Sequence, residues 1–198
     1  MVRGKGKGES FGKTALCYLK EIAAERLIPA ELKDDDILLA AYIDETSKSS
    51  KPMRIGTERE ADARSMYELL TGNKVELTGS VQHPRLAGFA SSPDGLIKGG
   101  QGALELKCPT PKVHTQYLAE VRTAEDLKEF NPTYYWQTIA HMSVTGARWC
   151  DFATYCPWSE LPMRLVVIER DEEEVAYLES RVEEGLAWIE SYLGRIKN

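Results

Sequence analysis

The four cysteines of this 198-residue chain include no C-x-x-C pair. Their irregular spacing suits neither a disulfide scaffold nor a zinc site, so both are excluded as the basis of the fold. No apolar run approaches the roughly 18 residues of a transmembrane helix. The glycine- and lysine-rich start also lacks the apolar core of a secretory signal. We therefore expect a cytoplasmic protein with no membrane partner.

The composition also lacks the bias of a disordered or collagen-like chain, because 42% of the residues are hydrophobic and 28% are charged. The length is sufficient for a core without crosslinks and predicts one domain, residues 1–198. The net charge of -6 does not indicate non-specific nucleic-acid binding. However, residues 169–190 alone contain nine acids and only two arginines. The rest of the chain can therefore still form a positively charged surface that binds nucleic acid.

Hydrophobic periodicity predicts an α/β or α+β fold with a mixed sheet flanked by helices. The predicted helices cover 10–27, a stretch from 34–36 onward, 54–71, 112–129 (one or two helices), 132–144 and 171–195. The predicted strands cover 75–81, 86–89, 94–98, 103–108, 149–155 and 163–168.

The most informative segment is 91–110, S-S-P-D-G-L-I-K-G-G-Q-G-A-L-E-L-K-C-P-T. Gly99–Gly102 form the predicted turn of a hairpin, which pairs Asp94 with Lys107. Because paired residues share a face and side chains alternate along a strand, Asp94, Glu105 and Lys107 are expected on one side of the sheet. The core side receives Leu104, Leu106 and Cys108.

Two carboxylates within about 5–8 Å of each other across this hairpin repel unless a cation lies between them. A divalent metal with oxygen ligands resolves the repulsion, and Mg²⁺ suits carboxylates together with a substrate phosphate. Lys107, two residues after Glu105, can hold a water or neutralise a phosphoryl group. An ordinary Glu–Lys pair on a surface hairpin explains the same spacing, because E-x-K triplets are common. The spacing alone leaves both interpretations open.

Two helices carry further candidate residues. In the helix over 54–71, Glu60 lies on the apolar stripe, where a carboxylate needs a cation or a strong partner. Gln137 lies on a later helix, with Tyr134 and His141 near its face. The residues alone favour a satisfied core amide for Gln137.

The pattern P-D-x10-E-L-K over residues 93–107 resembles the signature of the PD-(D/E)xK nucleases. The wider sequence is similar to the lambda exonuclease family of phage alkaline exonucleases. The matching stretches are G-T-E-R-E-A-D-A-R at 56–64, S-P-D-G-L at 92–96, L-E-L-K-C-P at 104–109, Gln137, and V-V-I-E-R-D-E at 166–172. This resemblance implies a restriction-endonuclease-like core.

The resemblance further implies a 5′→3′ exonuclease that acts on double-stranded DNA ends, releases 5′-mononucleotides and leaves 3′ single-stranded DNA. Two Mg²⁺ ions in each active site, or Mn²⁺ in their place, would serve the hydrolysis. The implied partners are DNA ends and a single-strand annealing protein, and the implied assembly is a homotrimeric ring. The implied setting is phage or prophage recombination in the cytoplasm of a bacterial host.

Carried over by position, the resemblance implies roles for the candidate active-site residues. The metal ligands would be Asp94, Glu105, the Leu106 carbonyl and, for the second ion, Glu60. Lys107 would activate water, and Gln137 would hold Lys107 or that water.

Other positions would contact DNA. Ser92 would belong to the pocket for the terminal 5′-phosphate, and Met53 sits where the family has an apolar wedge that parts the base pair. Arg3 and Lys5 lie in a basic stretch near a loop that touches duplex DNA.

The sequence departs from the family at three places. The family has an upstream segment whose Arg helps to bind the 5′-phosphate, and this chain begins after it, so we expect Met1 to be an internal start of a longer protein. The family also has a cationic residue shortly after E-L-K-C-P. In this sequence the candidates for its role, Lys112 and His114, lie at slightly different positions. His141 stands where many related nucleases have an aromatic residue.

Two alternatives stay open, and a third is disfavoured. The nearest is another PD-(D/E)xK enzyme, either an endonuclease or a single-strand nuclease. A second is a non-catalytic protein that binds DNA ends. A Cas4-like iron–sulfur nuclease is disfavoured, because the cysteines lack a cluster spacing.

Overall fold

The computed structural model describes residues 11–46 and 51–197, and it does not describe the side chains of 51–58 and 197. The chain divides into two compact units. The first holds the described residues of 1–48 and 180–198, and the second holds those of 49–179. No described helix is long and apolar enough to cross a membrane.

The first unit is helical. Its helices are α1 (Lys13–Arg26), α2 (Ala30–Lys33), α3 (Asp36–Thr46) and the later part of α8 (Glu172–Lys197). Leu19 and Ala23 of α1 share a buried cluster with Ile189 and Leu193 of α8. Each pair is spaced by four residues, which places both members on one helix face.

The second unit carries a five-stranded sheet, a two-stranded sheet and flanking helices. Its strands are β1 (Val75–Glu76), β2 (Val81–Gln82), β3 (Ala90–Ser91), β4 (Gly95–Ile97), β5 (Gly102–Lys107), β6 (Trp149–Tyr155) and β7 (Met163–Glu169). Its helices are α4 (Lys51–Thr71), α5 (Pro111–Glu120), α6 (Ala124–Phe130), α7 (Pro132–Thr145) and the start of α8.

The larger sheet has the strand order β1-β4-β5-β6-β7. β5 and β6 run parallel, and the other neighbours run antiparallel. The predicted mixed sheet flanked by helices is therefore confirmed.

Local signals in the sequence set several helix ends. α4 ends before Gly72 and α7 ends before Gly146, whose φ angles are 71° and 73°. Glycine suits this left-handed conformation because it has no Cβ to clash. Thr123 and Asp126 form a capping box that begins α6.

The two faces of the larger sheet are covered by different helices. One face packs against α7, through Ile139, Met142, Ala103 and Phe152. The other packs against α4, through Ala63, Tyr67, Leu104 and Leu106, with Cys108 at its margin. The alternation along β5 therefore places its leucines in the core, as predicted.

The predicted register of the β4–β5 hairpin is wrong by two residues. The turn takes Lys98–Gln101 rather than Gly99–Gly102. It begins one residue early because its first three residues all have positive φ. A shift of two residues is even, so every side chain keeps its predicted face. Asp94 is consequently level with Glu105 and not with Lys107.

Residues 75–81 and 86–89 are not the two continuous strands that the pattern predicts. The second stretch follows a turn in which Nδ1 of His83 accepts hydrogen bonds from the backbone N–H groups of Arg85 (3.2 Å) and Leu86 (2.9 Å). Such local bonds to the backbone compete with strand pairing.

Phe152, in the middle of β6, is a strong test of this core. Its side chain is fully buried and lies between the rings of Tyr117 and Tyr134, with both centroids at 5.9 Å. We expect Phe152→Ala to lower the free energy of unfolding by about 3–5 kcal/mol, because it leaves a cavity. Urea unfolding measures the change.

Val167→Ala is the matched control on the adjacent strand, because Val167 is 48% exposed. We expect it to lower the free energy of unfolding by about 1 kcal/mol or less. Equal losses in the two variants would contradict the packing described for Phe152.

Candidate active site

Asp94 is tied to β5 by two hydrogen bonds at the entrance to β4. Its backbone N–H donates to the Leu104 carbonyl (2.9 Å), and its Oδ2 accepts from the Leu106 N–H (2.6 Å). These bonds fix the carboxylate beside the strand segment that carries Glu105 and Lys107. The structure thus brings the three residues of the predicted triplet together.

The carboxyl group of Asp94 sits in an unfavourable place for a negative charge. Burial, and then the nearby charge of Glu105, raise the pKa of Asp94 to about 6. The hydrogen bond from Leu106 and the charge of Lys107 oppose this increase, and Glu60 adds to it. An added positive charge at this place would therefore be stabilised.

Glu105 is almost fully buried, at 1% exposure. Its Oε1 forms an ion pair with the ammonium group of Lys107, and its Oε2 lies 2.6 Å from Nε2 of His141. Burial by itself would raise the pKa of Glu105, but the hydrogen bond from His141 and the charge of Lys107 outweigh it and lower the pKa below its ordinary value. Glu105 is thus held as an ionised carboxylate inside the protein.

Lys107 is a partly buried cation between two kinds of partner. Besides Glu105, the ring of Tyr134 lies under its ammonium group, with Nζ 4.8 Å from the ring centroid. Burial would lower the pKa of Lys107, but the carboxylates of Glu105 and Asp94 raise it overall. A charged ammonium at this position can neutralise a phosphoryl oxygen or orient a water by donating a hydrogen bond.

His141 is one of the residues of this site, with Ser91 and Tyr134, to which sequence reasoning assigned no role. It is 1% exposed, and its Nδ1 lies 2.7 Å from the Ser91 hydroxyl. Because an ionised carboxylate only accepts hydrogen bonds, Nε2 of His141 carries the proton donated to Glu105. A chain from Ser91 through His141 to Glu105 therefore fixes the orientation of the carboxylate.

A sequence signal for His141 did exist. Residues 134, 137 and 141 are spaced by three and four, which places Tyr134, Gln137 and His141 on one face of α7. Tyr134 contacts Lys107 and His141 contacts Glu105, so the half-buried Gln137 lies on the same side of the sheet as both. This placement is compatible with its predicted role.

Glu60 enters the site from α4. It is half-buried, and its charge raises the pKa of Asp94 and of the Cys108 thiol. Burial first, and Glu60 second, raise the pKa of Cys108 to about 11. The apolar stripe of α4 therefore brings a third carboxylate close to Asp94.

The donor set fits a hard divalent cation in its chemistry. Its carboxylates supply oxygen ligands, and the pKa of Asp94 is raised first by burial and then by the charges of Glu105 and Glu60. Within residues 11–46 and 51–197, no three His, Cys, Asp or Glu side chains are already gathered as a preformed metal cluster. The Glu105 oxygens are engaged by Lys107 and His141.

The predicted DNA-binding residues have different placements. Ser92 is exposed next to Asp94, and Lys112 is exposed in the first turn of α5. Arg3 and Lys5 lie outside the described residues, as does the side chain of Met53.

His114 is a correction to the predicted phosphate site. It is fully buried, with Nδ1 3.0 Å from the Thr154 hydroxyl and Nε2 2.8 Å from the Leu161 carbonyl. Both ring nitrogens are used inside the protein, so His114 does not face a substrate. Of the two candidate cations, Lys112 alone is exposed.

Comparisons with known proteins identify a family and several similar structures. Residues 13–148 match the family described as "YqaJ-like viral recombinase domain". No curated protein sequence matches the chain. Solved structures do match it.

The alkaline exonuclease LHK-Exo from Laribacter hongkongensis is 28% identical, with a TM-score of 0.74 over 96% of this chain and 86% of that one. Its complex with dAMP is 30% identical, with a TM-score of 0.77 over 94% of this chain and 85% of that one.

A phage-related exonuclease from Haemophilus somnus 129PT is 13% identical, with a TM-score of 0.71 over 98% of this chain and 91% of that one, and it shows the shared fold alone. These matches confirm the predicted restriction-endonuclease-like core and the resemblance to the lambda exonuclease family. This protein belongs to the family of YqaJ-like viral recombinase domains.

Proposed function

We propose that this protein is a metal-dependent exonuclease that degrades one strand of linear double-stranded DNA from its 5′ end. It releases 5′-mononucleotides and leaves 3′ single-stranded DNA for recombination by strand annealing. The observation that carries the proposal is the meeting of Asp94, Glu105 and Lys107 on one side of a hairpin. The alkaline exonuclease LHK-Exo, 30% identical in its dAMP complex, supports it.

The metal would be Mg²⁺, with Mn²⁺ as a substitute, at two ions per active site. The ligands would be Asp94, Glu105, the Leu106 carbonyl and Glu60. When bound, the ions supply positive charge that offsets the negative charge of the phosphate and of the ligands themselves.

The remaining residues prepare and orient this site. His141 holds the Glu105 carboxylate in one orientation, while Tyr134 and Glu105 hold Lys107. Lys107 orients the attacking water or neutralises a phosphoryl oxygen, and Gln137 would hold Lys107 or that water. Water attacks phosphorus and the P–O3′ bond breaks. The terminal nucleotide then leaves with its 5′-phosphate, and the shortened strand keeps a new 5′-phosphate.

The substrate contacts complete the proposal. Ser92 and Lys112 would bind the 5′-phosphate of the DNA end, Met53 would part the terminal base pair, and Arg3 and Lys5 would contact the duplex backbone.

The proposed biological setting is a phage-type recombination system in the bacterial cytoplasm. There residues 1–198 would act as one nuclease domain, three copies would form a ring around DNA, and a single-strand annealing protein would receive the 3′ strand. Mass measurement in solution tests the trimer separately from the activity.

Two DNA substrates test the proposed reaction. We expect the protein with Mg²⁺ to digest a 5′-phosphorylated linear duplex to mononucleotides and to spare an intact circle of the same sequence. A chelator should abolish digestion, because the ligand charges then lack their cation.

Each other outcome identifies an alternative. Cleavage of the circle would indicate an endonuclease, and digestion of single strands alone would indicate a single-strand nuclease. DNA binding without any Mg²⁺- or Mn²⁺-dependent release of nucleotides would indicate a non-catalytic end-binding protein and would overturn the proposal.

A further inference from the structure

The connection between β6 and β7 displays two large apolar side chains to solvent. Trp158 is 73% exposed and Leu161 is 64% exposed. β5 and β6 are parallel, and Lys107 pairs with Thr154 near their common end. The connection, residues 156–162, therefore leaves the sheet at the same end of the strands as Lys107.

This connection is held in place by hydrogen bonds. The Cys156 N–H donates to the Pro162 carbonyl (2.8 Å), which closes the base of the loop. Inside it, the Leu161 N–H donates to the Ser159 hydroxyl (3.2 Å). Buried His114 of α5 joins the Leu161 carbonyl to Thr154. An ordered loop thus presents an indole ring to solvent.

One cation lies over this ring, and a second is on the helix that anchors the loop. The Arg59 guanidinium of α4 is 6.0 Å from the centroid of Trp158, and Arg59 immediately precedes Glu60. Lys112 is exposed on α5, the helix whose His114 anchors the loop. Acids accompany these cations: Glu160 lies in the loop, Glu60 follows Arg59, and Asp62 acts on Tyr155 together with Arg59.

We propose that Trp158, together with Arg59 and Lys112, is a stacking platform for an unpaired base of the DNA strand beside the candidate active site. Nucleic-acid sites that accept single strands combine aromatic faces for the bases with cations for the backbone, and arginine adds cation–π attraction. This inference rests on the proposed function and extends it to the recognition of single-stranded DNA.

A purely apolar partner surface fits the platform less well. The Arg59 guanidinium over Trp158 complements a phosphate backbone, whereas an apolar partner surface would have to bury this charge. A second copy of the chain is the remaining competitor, and the experiment separates it.

Fluorescence anisotropy with a labelled oligothymidine, in chelator so that no hydrolysis occurs, measures the single-strand affinity. We expect Trp158→Ala to weaken this affinity by about tenfold or more, because one stacked base is lost. Trp158→Phe should retain most of the affinity, since it keeps an aromatic face. We expect Trp158→Ala to weaken the binding of a blunt duplex of the same length less than it weakens the binding of the single strand.

Leu77→Ala is the control, because Leu77 is 69% exposed and lies outside the platform. It should leave the single-strand affinity unchanged. An unchanged affinity in Trp158→Ala, or an equal loss in Leu77→Ala, overturns the proposal. The proposal is also overturned if Trp158→Ala changes the mass of the protein in solution but not its affinity for DNA. That result would indicate that Trp158 lies at a contact between copies of the chain.

Digestion of linear duplex by the same preparations distinguishes this failure from failure of the proposed function. If the unaltered protein digests DNA but Trp158→Ala binds single strands normally, only the platform is wrong. If the unaltered protein does not digest DNA but Trp158→Ala loses affinity, the platform stands and the nuclease proposal fails.

Discussion

Asp94→Asn is expected to reduce the digestion of linear duplex DNA at least about a thousandfold, the scale on which pre-organised charges at an active site act. Asparagine keeps an oxygen that can accept from the Leu106 N–H, as Asp94 does now, so the hairpin should persist. The negative charge that we assign to metal binding is lost. Lys107→Ala should have an effect of the same order, because its ammonium group is removed from beside Glu105.

The measurement is the release of acid-soluble nucleotides, with DNA binding followed in parallel. Binding should largely survive in both variants, because most affinity for DNA comes from backbone contacts elsewhere. Glu125→Gln, an exposed acid in the first turn of α6, is the control and should digest DNA normally. Strong activity in Asp94→Asn or Lys107→Ala would contradict the roles assigned to them.

His141→Leu is expected to weaken the binding of Mn²⁺ by about 10- to 100-fold, the usual effect of removing a partner that orients a metal ligand. In the unaltered protein Nε2 of His141 donates to Glu105, and the Ser91 hydroxyl fixes the ring from the other side. Leucine fills similar space but donates no hydrogen bond. Calorimetric titration with Mn²⁺ measures the affinity without requiring DNA.

Two further variants separate orientation of Glu105 from general stability. His141→Gln retains an N–H donor and should recover part of the Mn²⁺ affinity. His83→Gln alters another buried histidine that contacts a carboxylate, Glu179 at 3.1 Å, and should leave the affinity unchanged. If His141→Leu and His83→Gln weaken Mn²⁺ binding equally, or neither does, the role of His141 is refuted.

Several elements could be predicted because their signals are local. Strands β6 and β7 alternate or run apolar over seven residues each, and the structure has them at 149–155 and 163–169. Glycine closes α4 after Thr71, and proline begins α7. The face shared by Asp94, Glu105 and Lys107 was also predictable, because side chains alternate with a period of two and the register error was an even number of residues.

Other features could not be predicted because they depend on distant contacts. The turn at His83 uses a side chain to replace strand bonds. The burial of His114 required the β6–β7 connection to fold back onto α5. The sequence around His114 gives no sign of its distant partners, Thr154 and the Leu161 carbonyl, so His114 was interpreted as a surface cation.

The sequence by itself determined the family, the mixed α/β fold and the three ionic residues of the hairpin, since periodicity and an ordered motif set are written in consecutive residues. The tertiary structure alone decided that His141 and Ser91 hold Glu105, that Tyr134 lies under Lys107, and that Trp158 stands exposed beside Arg59. These contacts join residues far apart in the chain, and only the packing of α4, α5 and α7 around the sheet brings them together.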